Sequence, residues 1–344
     1  MKTKISDKFL PTDSIILDMN DYGLIELNQI NEWYGTPSSG KTLFGLRAME
    51  LANKQGLKGI YYDCPSKLNL KEMENRGINL DKDKPDSLEE LFNNIYESIK
   101  NGFNFIVVDD YSALPTENEL EGQANNDHDQ FFRATVIRHG LRRINSLRQK
   151  KEVTLVFICS RRIKIGVLFG NPETSTGEEP LRIMAKNVIR FTSLEKPNNK
   201  RDEAFWDHPY YNSSNSWGIK IKWKKGSVFN RDENASFIFE MKDDSVSRLW
   251  DLFKAGEYIG AIEQRSKNYW IVVNPYGYFG LYDSPFRSKK QLINKLKEGG
   301  ELDTLEKNIW EIYHHRTTGG YEGEVEVDAS WDLDYQKRIK EQSV

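Results

Sequence analysis

Residues 35–42 read Gly-Thr-Pro-Ser-Ser-Gly-Lys-Thr, and this segment constrains the fold more than any other. The spacing Gly, four residues, Gly-Lys-Thr is typical of a phosphate-binding loop when a strand precedes it and a helix follows it. Both conditions are met, because the apolar run 30–34 leads into the loop and apolar residues recur at helical spacing after Lys41. In such a loop, backbone N–H groups surround a phosphate at the positive end of a helix dipole. We therefore predict phosphate binding by Gly35, Thr36, Pro37, Ser38, Ser39, Gly40, Lys41 and Thr42.

The segments around this loop alternate between short apolar runs and amphipathic stretches. The apolar runs are typical of buried strands and lie at 30–34, 59–63, 105–109 and 154–159. Strands alternating with helices predict a parallel sheet that is covered on both faces. Further strand-like runs at 187–192, 217–223 and 235–241 extend that sheet. The predicted fold class is α/β, with a mostly parallel central sheet followed by a small α+β domain.

A metal ligand is predicted at the end of the run Phe105–Asp109. A carboxylate at the end of a strand beside the phosphate-binding loop complements the hydroxyl of Thr42 as a ligand of Mg²⁺. Lys41 would reach the β- and γ-phosphates of the nucleotide. The cofactors predicted from these residues are ATP and Mg²⁺, with Thr42 and Asp109 as the metal ligands.

Composition narrows the class of protein further. The formal net charge is −3, so contact with nucleic acid would have to come from local basic patches. Cys64 and Cys159 both lie in apolar, strand-like runs, as buried free thiols do in a reducing compartment. The first ten residues contain no apolar run of the kind found in signal peptides or membrane anchors. We therefore predict a cytoplasmic protein that is not bound to a membrane.

Four segments resemble the RecA family of DNA recombinases. Ile30–Thr42 resembles the phosphate-binding strand and loop of the family, and Ile106–Leu114 resembles its second nucleotide-binding segment. Residues 119–128 resemble the first DNA-binding loop of the family, and residues 162–177 match its second DNA-binding loop nearly residue for residue. The resemblance covers about residues 10–241, and more faintly 245–316. It implies a RecA-like ATPase core that binds single-stranded DNA and pairs it with double-stranded DNA, as a filament of identical subunits.

The second loop also suits DNA on chemical grounds alone. Its cations can contact phosphates, its apolar side chains can insert between bases, and its glycines allow the backbone to approach closely. The predicted DNA-binding residues are Arg161, Arg162, Lys164, Ile165, Gly166, Val167, Phe169, Gly170 and Asn171.

The resemblance also implies contacts across a subunit interface. The family completes its ATP site with paired lysines of the adjacent subunit, and the matching candidates are Lys222, Lys224 and Lys225. The alignment of these lysines with the lysine pair of the family is open by one residue. The alternative interpretation is a solvated charge run at an exposed strand end.

The predicted domain boundaries follow from these patterns. A short extension (1–10) precedes the core (11–244), which carries the DNA-binding loops 121–128 and 161–177. The insertion 196–216 is predicted to be a surface hairpin that packs its own aromatic residues. The α+β domain spans 245–316, with a helix at 249–255, a strand pair at 269–282 turning at Asn274–Pro275, and helices at 288–297 and 302–314. An acidic tail, predicted to be disordered, spans 317–344.

Three departures from the family bear on activity. Pro65 stands where the family has the glutamate that polarises the attacking water, and a proline cannot act as a base. Ser160 stands where the family has the glutamine that senses the γ-phosphate. Only about nine residues precede the core, whereas the family has an N-terminal helix and strand that dock on the next subunit.

These departures leave alternatives open. One hypothesis is slow hydrolysis assisted by Asp110, with Asp63 as a second candidate for the base. It makes Lys41, Asp109 and Asp110 the predicted catalytic residues of a DNA-dependent ATPase. The alternative is a RecA-like paralogue that binds ATP with little or no hydrolysis and assists another recombinase. A third interpretation, an unrelated phosphate-loop kinase or transporter ATPase, is supported only by Gly35–Thr42.

Overall fold

A computed structural model of the chain divides into two compact units, residues 1–247 and residues 248–344. The residues it describes are 8–12, 14–19, 23–122, 126–163, 173–175, 178–194, 216–226, 234–240, 245–266, 269–273 and 286–317.

The first unit alternates helices with strands. Its helices are α1 (Ile15–Met19), α2 (Lys41–Lys54), α3 (Leu70–Asn75), α4 (Leu88–Lys100), α5 (Glu117–Leu120), α6 (Asn126–Lys151) and α7 (Glu178–Met184), with a 3-10 turn at Tyr111–Ala113. Its strands are β1 (Ile30–Gly35), β2 (Gly59–Asp63), β3 (Phe105–Asp109), β4 (Thr154–Ile163), β5 (Glu173–Ser175), β6 (Asn187–Leu194), β7 (Ser216–Lys225), β8 (Asn234–Glu240) and β9 (Ser245–Val246).

The strands form one sheet in the order β2-β3-β4-β1-β6-β7-β8-β9. The first five strands in this order run parallel to one another, and β7, β8 and β9 each run antiparallel to the strand before. β5 pairs with the outer end of β4, from Arg161 to Ile163. The predicted α/β class with a mostly parallel central sheet is confirmed.

Each face of the sheet is covered by its own apolar layer. On one face, strand residues such as Val107 and Ile158 pack with α2 and α3. On the other face, Val108 and Phe157 pack with α4, α6 and α7. Successive strand side chains point to opposite faces, so a run that is apolar at every position is buried on both sides. Burial of each large apolar side chain stabilises the fold by roughly 1.5–3 kcal/mol.

Helix α6 was not predicted by the apolar pattern. Its buried stripe contains Ile137, Leu141 and Ile144, while most of the remaining positions are polar or charged. A stripe this narrow gives a weak amphipathic signal, since an apolar face usually holds three or four residues in every two turns. The helix begins at Asn126, so the last three residues of the predicted loop 121–128 belong to its first turn.

The second unit contains three helices and a two-stranded sheet among its described residues. The helices are α8 (Arg248–Ile259), α9 (Lys289–Leu296) and α10 (Glu301–Thr317), and the strands are β10 (Ile262–Ser266) and β11 (Tyr269–Val272). The ring of Phe253 lies 6.1 Å from that of Trp250 and 6.0 Å from that of Trp270. β11 pairs with β10, which precedes it, whereas the predicted partner after Asn274–Pro275 lies outside the described residues.

Several sequence predictions fall largely outside the described residues. They include the predicted DNA-binding residues from Lys164 to Asn171, almost all of the insertion 196–216, and the acidic tail after residue 317. Among the helices that are described, none is long and apolar enough to span a membrane.

Candidate nucleotide site and the predicted DNA loops

The phosphate-binding loop lies at the carboxyl end of β1, where two of its glycines pack against the sheet. A Cβ atom on Gly35 would lie 2.2 Å from the carbonyl oxygen of Phe191 on β6. Gly40 has a φ of +86°, in the left-handed region, and a Cβ there would lie 2.3 Å from Ile219 Cδ1 on β7. Both positions therefore require glycine, because the loop runs directly against β6 and β7.

The loop ends at the N-terminus of α2, which has no side-chain cap. Gly40 is the N-cap residue, and the first turn of the helix contains no acidic residue. The first N–H groups of a helix have no partner within the helix, and the helix dipole places partial positive charge there. Nothing in the first turn of α2 therefore neutralises this charge, which suits a bound phosphate.

Lys41 is folded back over the loop. Its ammonium group donates to the carbonyl oxygens of Gly35 at 3.2 Å and Thr36 at 2.8 Å, and lies 3.5 Å from Ser39 Oγ. The side chain is buried, and this burial lowers its pKa, while Asp109 and Asp110 act in the opposite direction. Within the described part of the chain, the hydrogen-bond partners of this ammonium are uncharged, and a buried cation is stabilised best by an anion. The arrangement fits a nucleotide phosphate.

Thr42 and Asp109 meet as the sequence predicts for a metal site. Thr42 Oγ1 donates to Asp109 Oδ2 at 2.5 Å. Asp109 is the last residue of β3, which β4 separates from β1, and Thr42 at the start of α2 reaches across to it. A hydroxyl and a carboxylate, both hard oxygen ligands, fit Mg²⁺, which is usually held by one or two carboxylates together with substrate phosphates.

Tyr61 is a third member of this group that sequence reasoning missed. Its hydroxyl donates to Asp109 Oδ2 at 2.8 Å, and the side chain is fully buried on β2. Burial and the nearby Asp109 raise the pKa of Tyr61 well above its ordinary value, so the phenol stays protonated and acts as a donor. No sequence pattern signals this contact, which depends on β2 lying beside β3.

Asp109 itself is held in a buried environment. Burial raises the pKa of its carboxyl group, and the hydrogen bonds from Thr42 and Tyr61 act in the opposite direction. The two hydroxyls therefore favour the ionised form that a metal ion requires.

The carboxylate of Asp110 is hydrogen-bonded to two serines. Oδ1 accepts from the backbone N–H of Ser112 at 3.0 Å and from the hydroxyl of the same residue. Oδ2 accepts from Ser160 Oγ at 2.6 Å. Both oxygens of the predicted catalytic carboxylate therefore have partners within the chain.

The segment that contains Pro65 lies at the end of β2. Asp63 Oδ2 accepts from the backbone N–H of Leu68 at 2.7 Å, and the Cys64 N–H donates to the carbonyl oxygen of Asp109 at 2.9 Å. Burial raises the pKa of the Cys64 thiol, which therefore stays neutral. The carboxylate of Asp63, the second candidate for the base, thus holds the turn that follows β2.

The second predicted DNA loop begins close to this site, because Ser160 of β4 pairs with Gly35. β4 runs past the nucleotide edge of the sheet, and its residues from Arg161 onward pair antiparallel with β5, so that Arg161 lies opposite Ser175. This hairpin forms the base of the predicted loop 161–177. Side chains from Arg162 to Asn171 lie outside the described set.

The predicted intersubunit lysines lie on β7. Lys225 Nζ donates to the carbonyl oxygens of Arg182 at 3.1 Å and Ile183 at 3.0 Å, in the last turn of α7. Lys222 lies opposite Arg190 in the pairing of β7 with β6, and Lys224 lies where the register of this pairing shifts, between Trp223 and Lys225. Lys225 therefore contacts a helix of its own subunit, whereas Lys222 and Lys224 remain predicted intersubunit contacts.

Comparison with known proteins agrees with this geometry. The fold and the loop define a phosphate-binding-loop protein of the α/β class. The profile of the family described as RecA N-terminal domain matches residues 2–205, which is more than half of the chain. The chain belongs to this family, as a divergent member, and the resemblance predicted from the sequence is confirmed.

Individual relatives show how far the similarity extends. Protein RecA of Wolbachia sp. subsp. Brugia malayi (strain TRS) is 29% identical over 265 residues, which cover 76% of this chain and 71% of the relative. Protein RecA of Mycoplasma mycoides subsp. mycoides SC is 31% identical over 235 residues, which cover 67% of this chain and 65% of the relative. Protein RecA of Treponema denticola is 30% identical over 222 residues, which cover 63% of this chain and 50% of the relative. The chain therefore spans between half and about seven-tenths of these relatives.

Among solved structures, one described as the crystal structure of the RadB recombinase is similar to this chain at 16% sequence identity. The TM-score is 0.47, and the similarity covers 69% of this chain and 98% of the other.

Proposed function

We propose that this chain binds ATP and Mg²⁺ and acts on DNA as a recombinase, binding single-stranded DNA and pairing it with a homologous duplex. Membership of the RecA N-terminal domain family supports a role in recombination. The observation that carries the nucleotide part is the buried ammonium of Lys41, held by uncharged groups beside an uncapped helix N-terminus. Such a site is electrostatically incomplete without an anion.

In this proposal the residues of the loop divide the work of holding the nucleotide. The N–H groups at the start of α2 bind phosphate, and Lys41 moves from the loop carbonyls to the phosphate oxygens. Thr42 and Asp109 hold Mg²⁺, which neutralises part of the phosphate charge when it is bound. Tyr61 keeps the carboxylate of Asp109 in place. The hydroxyl of Thr42 and the carboxylate are already within hydrogen-bond distance, so little reorganisation is needed.

DNA binding is proposed for the loops 121–128 and 161–177. The pairing of Arg161 with Ser175 forms the base of the second loop. Contacts to phosphates by its cations would make binding largely independent of sequence and sensitive to salt. A helical filament of identical subunits, with Lys222 and Lys224 reaching the ATP of the neighbouring subunit, is part of the same proposal.

Binding measurements with Lys41→Ala test the nucleotide part. We expect the variant to lose ATP affinity and ATP-dependent binding of single-stranded DNA. Lys54→Ala is the matched control, because Lys54 is an exposed lysine in the last turn of the same helix. Equal ATP affinity of Lys41→Ala and the control would refute the nucleotide site. Strand exchange between a single strand and a homologous duplex then tests the recombinase activity.

The second candidate function is an accessory protein that binds ATP with little hydrolysis. Pro65 supplies no carboxylate, and the oxygens of Asp110 are turned toward Ser112 and Ser160. A steady-state ATPase assay with single-stranded DNA compares the wild type with Asp110→Ala. If Asp110 assists hydrolysis as predicted, the variant should hydrolyse ATP more slowly. Electron microscopy with single-stranded DNA and a non-hydrolysable ATP analogue separates the two functions: continuous filaments favour the recombinase, and discrete particles favour the accessory protein.

A further inference from the structure

The outer edge of β2 is closed by residues 79–81, which we call the edge segment. β2 is the first strand in the order of the sheet, and Leu80 pairs with Tyr61 in a parallel bridge. The N–H of Tyr61 donates to the carbonyl oxygen of Asn79 at 2.8 Å, and the N–H of Asp81 donates to that of Tyr61 at 2.8 Å. Leu80 is buried in the same apolar layer as Tyr61. The edge segment therefore holds the backbone of Tyr61 on the side opposite to β3.

Tyr61 joins this edge to the proposed metal ligand. Its hydroxyl donates to Asp109 Oδ2 at 2.8 Å. The same residue is thus held through its backbone by the edge segment and holds Asp109 through its side chain. Hydrogen bonds weaken steeply when donor and acceptor are misaligned. A looser edge segment would therefore weaken the contact between the phenol and the carboxylate.

Asp81 brings a carboxyl group with an incomplete set of hydrogen bonds into this edge. The residue is half-buried, and its Oδ2 atom is shielded from water and has no hydrogen-bond partner among the residues that the structure describes. The backbone N–H of Asp83 donates to the same carboxyl group. Removal of a carboxylate oxygen from water without a partner disfavours the ionised form.

Charged neighbours act in the same direction. Burial raises the pKa of the Asp81 carboxyl, the N–H of Asp83 acts in the opposite direction, and the carboxylates of Asp83 and Glu90 on α4 raise it further. A carboxyl whose pKa is raised by folding binds its proton more tightly in the folded state. Its contribution to stability is therefore lost as the pH rises above about 4, the ordinary value for aspartate.

The other titratable groups beside this carboxyl lie on β2, directly after β2 and in the loop that follows the edge segment. Burial raises the pKa of the Tyr62 phenol and that of the Cys64 thiol, so both groups stay neutral. Lys82 Nζ lies 3.6 Å from Glu74 Oε1 on α3, and Lys84 is exposed to solvent. The charged neighbours that act on the carboxyl group are anions.

We propose that Asp81 is a pH-sensitive switch at the edge of the nucleotide site: its uncharged carboxyl leaves the edge segment paired with β2, and its ionisation weakens this pairing and with it the hold of Tyr61 on Asp109. The second step rests on the proposed function, because it needs Asp109 to bind Mg²⁺. The first step concerns the pairing of the edge segment alone and can be tested without nucleotide.

Hydrogen exchange of two backbone amides tests the first step. NMR follows the N–H groups of residues 61 and 81 from mildly acidic to mildly alkaline pH, and each rate is divided by the intrinsic rate at that pH to give a protection factor. The variant is Asp81→Asn, which keeps the shape of the side chain and an acceptor for the N–H of Asp83 but carries no charge. The matched control is Asp86→Asn, which removes an exposed carboxylate from the same loop.

We expect both amides to be several-fold better protected in Asp81→Asn than in the wild type at neutral pH, and equally protected at acid pH. Asp86→Asn should follow the wild type at every pH. Asp83→Asn should lose protection at a lower pH than the wild type, since it removes one of the two anions that disfavour the charge on Asp81.

Nucleotide affinity tests the second step. At neutral pH, Asp81→Asn should bind ATPγS with Mg²⁺ several-fold more tightly than the wild type. In a Tyr61→Phe background the same substitution should bring no gain, because the contact through which the switch acts is missing. Each pair of proteins is compared at one pH.

Other outcomes contradict the proposal. Equal protection in the wild type and Asp81→Asn at every pH would overturn the switch, and so would a difference that does not vary with pH, since the asparagine then acts by packing alone. A change in protection without a change in ATPγS affinity would refute the link to Asp109. If the wild type binds no ATPγS, the proposed function fails, while the exchange rates still decide whether Asp81 controls the edge segment. If Asp81→Asn does not fold, the shift expected for Asp83→Asn decides the question.

Discussion

Replacing Tyr61 with Phe removes one oxygen atom from the buried surroundings of Asp109. The phenol is the second of two hydroxyls that donate to Asp109 Oδ2, at 2.8 Å beside Thr42 at 2.5 Å. Phe has the same ring and adds no atom, so the packing of β2 against β3 should be kept. The expected loss is therefore that of one hydrogen bond to a carboxylate.

The size of the effect follows from the nature of this bond. A hydrogen bond to a charged group contributes about 1.5–3 kcal/mol, which corresponds to a factor of about ten or more in affinity. The Tyr61 hydroxyl lowers the pKa of Asp109 against the effect of burial, so its removal should raise that pKa. Asp109 must be ionised to hold Mg²⁺. The variant should therefore need a higher pH for Mg²⁺-dependent nucleotide binding.

The assay is a titration of ATPγS binding against Mg²⁺ at a series of pH values. In Tyr61→Phe the pH midpoint should move upward, and the Mg²⁺-dependent affinity below it should fall by about tenfold or more, while binding at high pH approaches that of the wild type. Tyr96→Phe is the control, because Tyr96 lies on α4, away from this site. An unchanged midpoint would show that Tyr61 does not stabilise the ionised carboxylate, and the reasoning about Asp109 would fail.

Three further predictions concern the stability of the core and of the loop. Glu50 pairs with Arg47 at 2.5 Å and with Arg76 at 2.7 Å, and these partners lower its pKa despite burial. Glu50→Gln should therefore cost about 1–3 kcal/mol of unfolding free energy near neutral pH. In urea titrations, the difference from the wild type should vanish as the pH falls through the folded-state pKa of Glu50. Gly40→Ala should lose ATP affinity and thermal stability, because the backbone of Gly40 is in the left-handed region and the residue packs against β7. Calorimetry and nucleotide binding measure the two losses. Wild-type values would contradict the packing described for the loop. Lys225→Met should lower the free energy of unfolding by about 0.5–1.5 kcal/mol, because it removes two hydrogen bonds to the end of α7. Wild-type stability together with loss of DNA-stimulated hydrolysis would instead favour the intersubunit role.

The sequence predicted the central strands with small errors at their ends. β2 and β3 have the predicted bounds, because runs that are apolar at every position can be satisfied only by burial on both faces. The end of β4 was missed, since its last residues pair with β5 outside the main sheet and carry charge. Helix α6 was missed because its buried stripe is narrow and most of its residues are polar. These errors arise where local composition does not reflect tertiary contacts.

The candidate site divides in the same way. The phosphate-binding loop, Lys41, Thr42 and Asp109 could be found from the sequence, because the loop is contiguous and its chemistry depends on a fixed spacing. The hydrogen bond from Tyr61 to Asp109 could not be found, since it requires β2 to lie beside β3 in one particular register.

The sequence by itself determined the class of the fold and the nucleotide loop, because apolar periodicity and loop chemistry are local properties of the chain. Tertiary structure alone decided that Asp110 contacts Ser160 and that Lys225 binds the end of α7. These contacts join residues far apart in the chain, and strand order and register bring them together. A short-range pattern cannot encode which distant partner a polar side chain will meet.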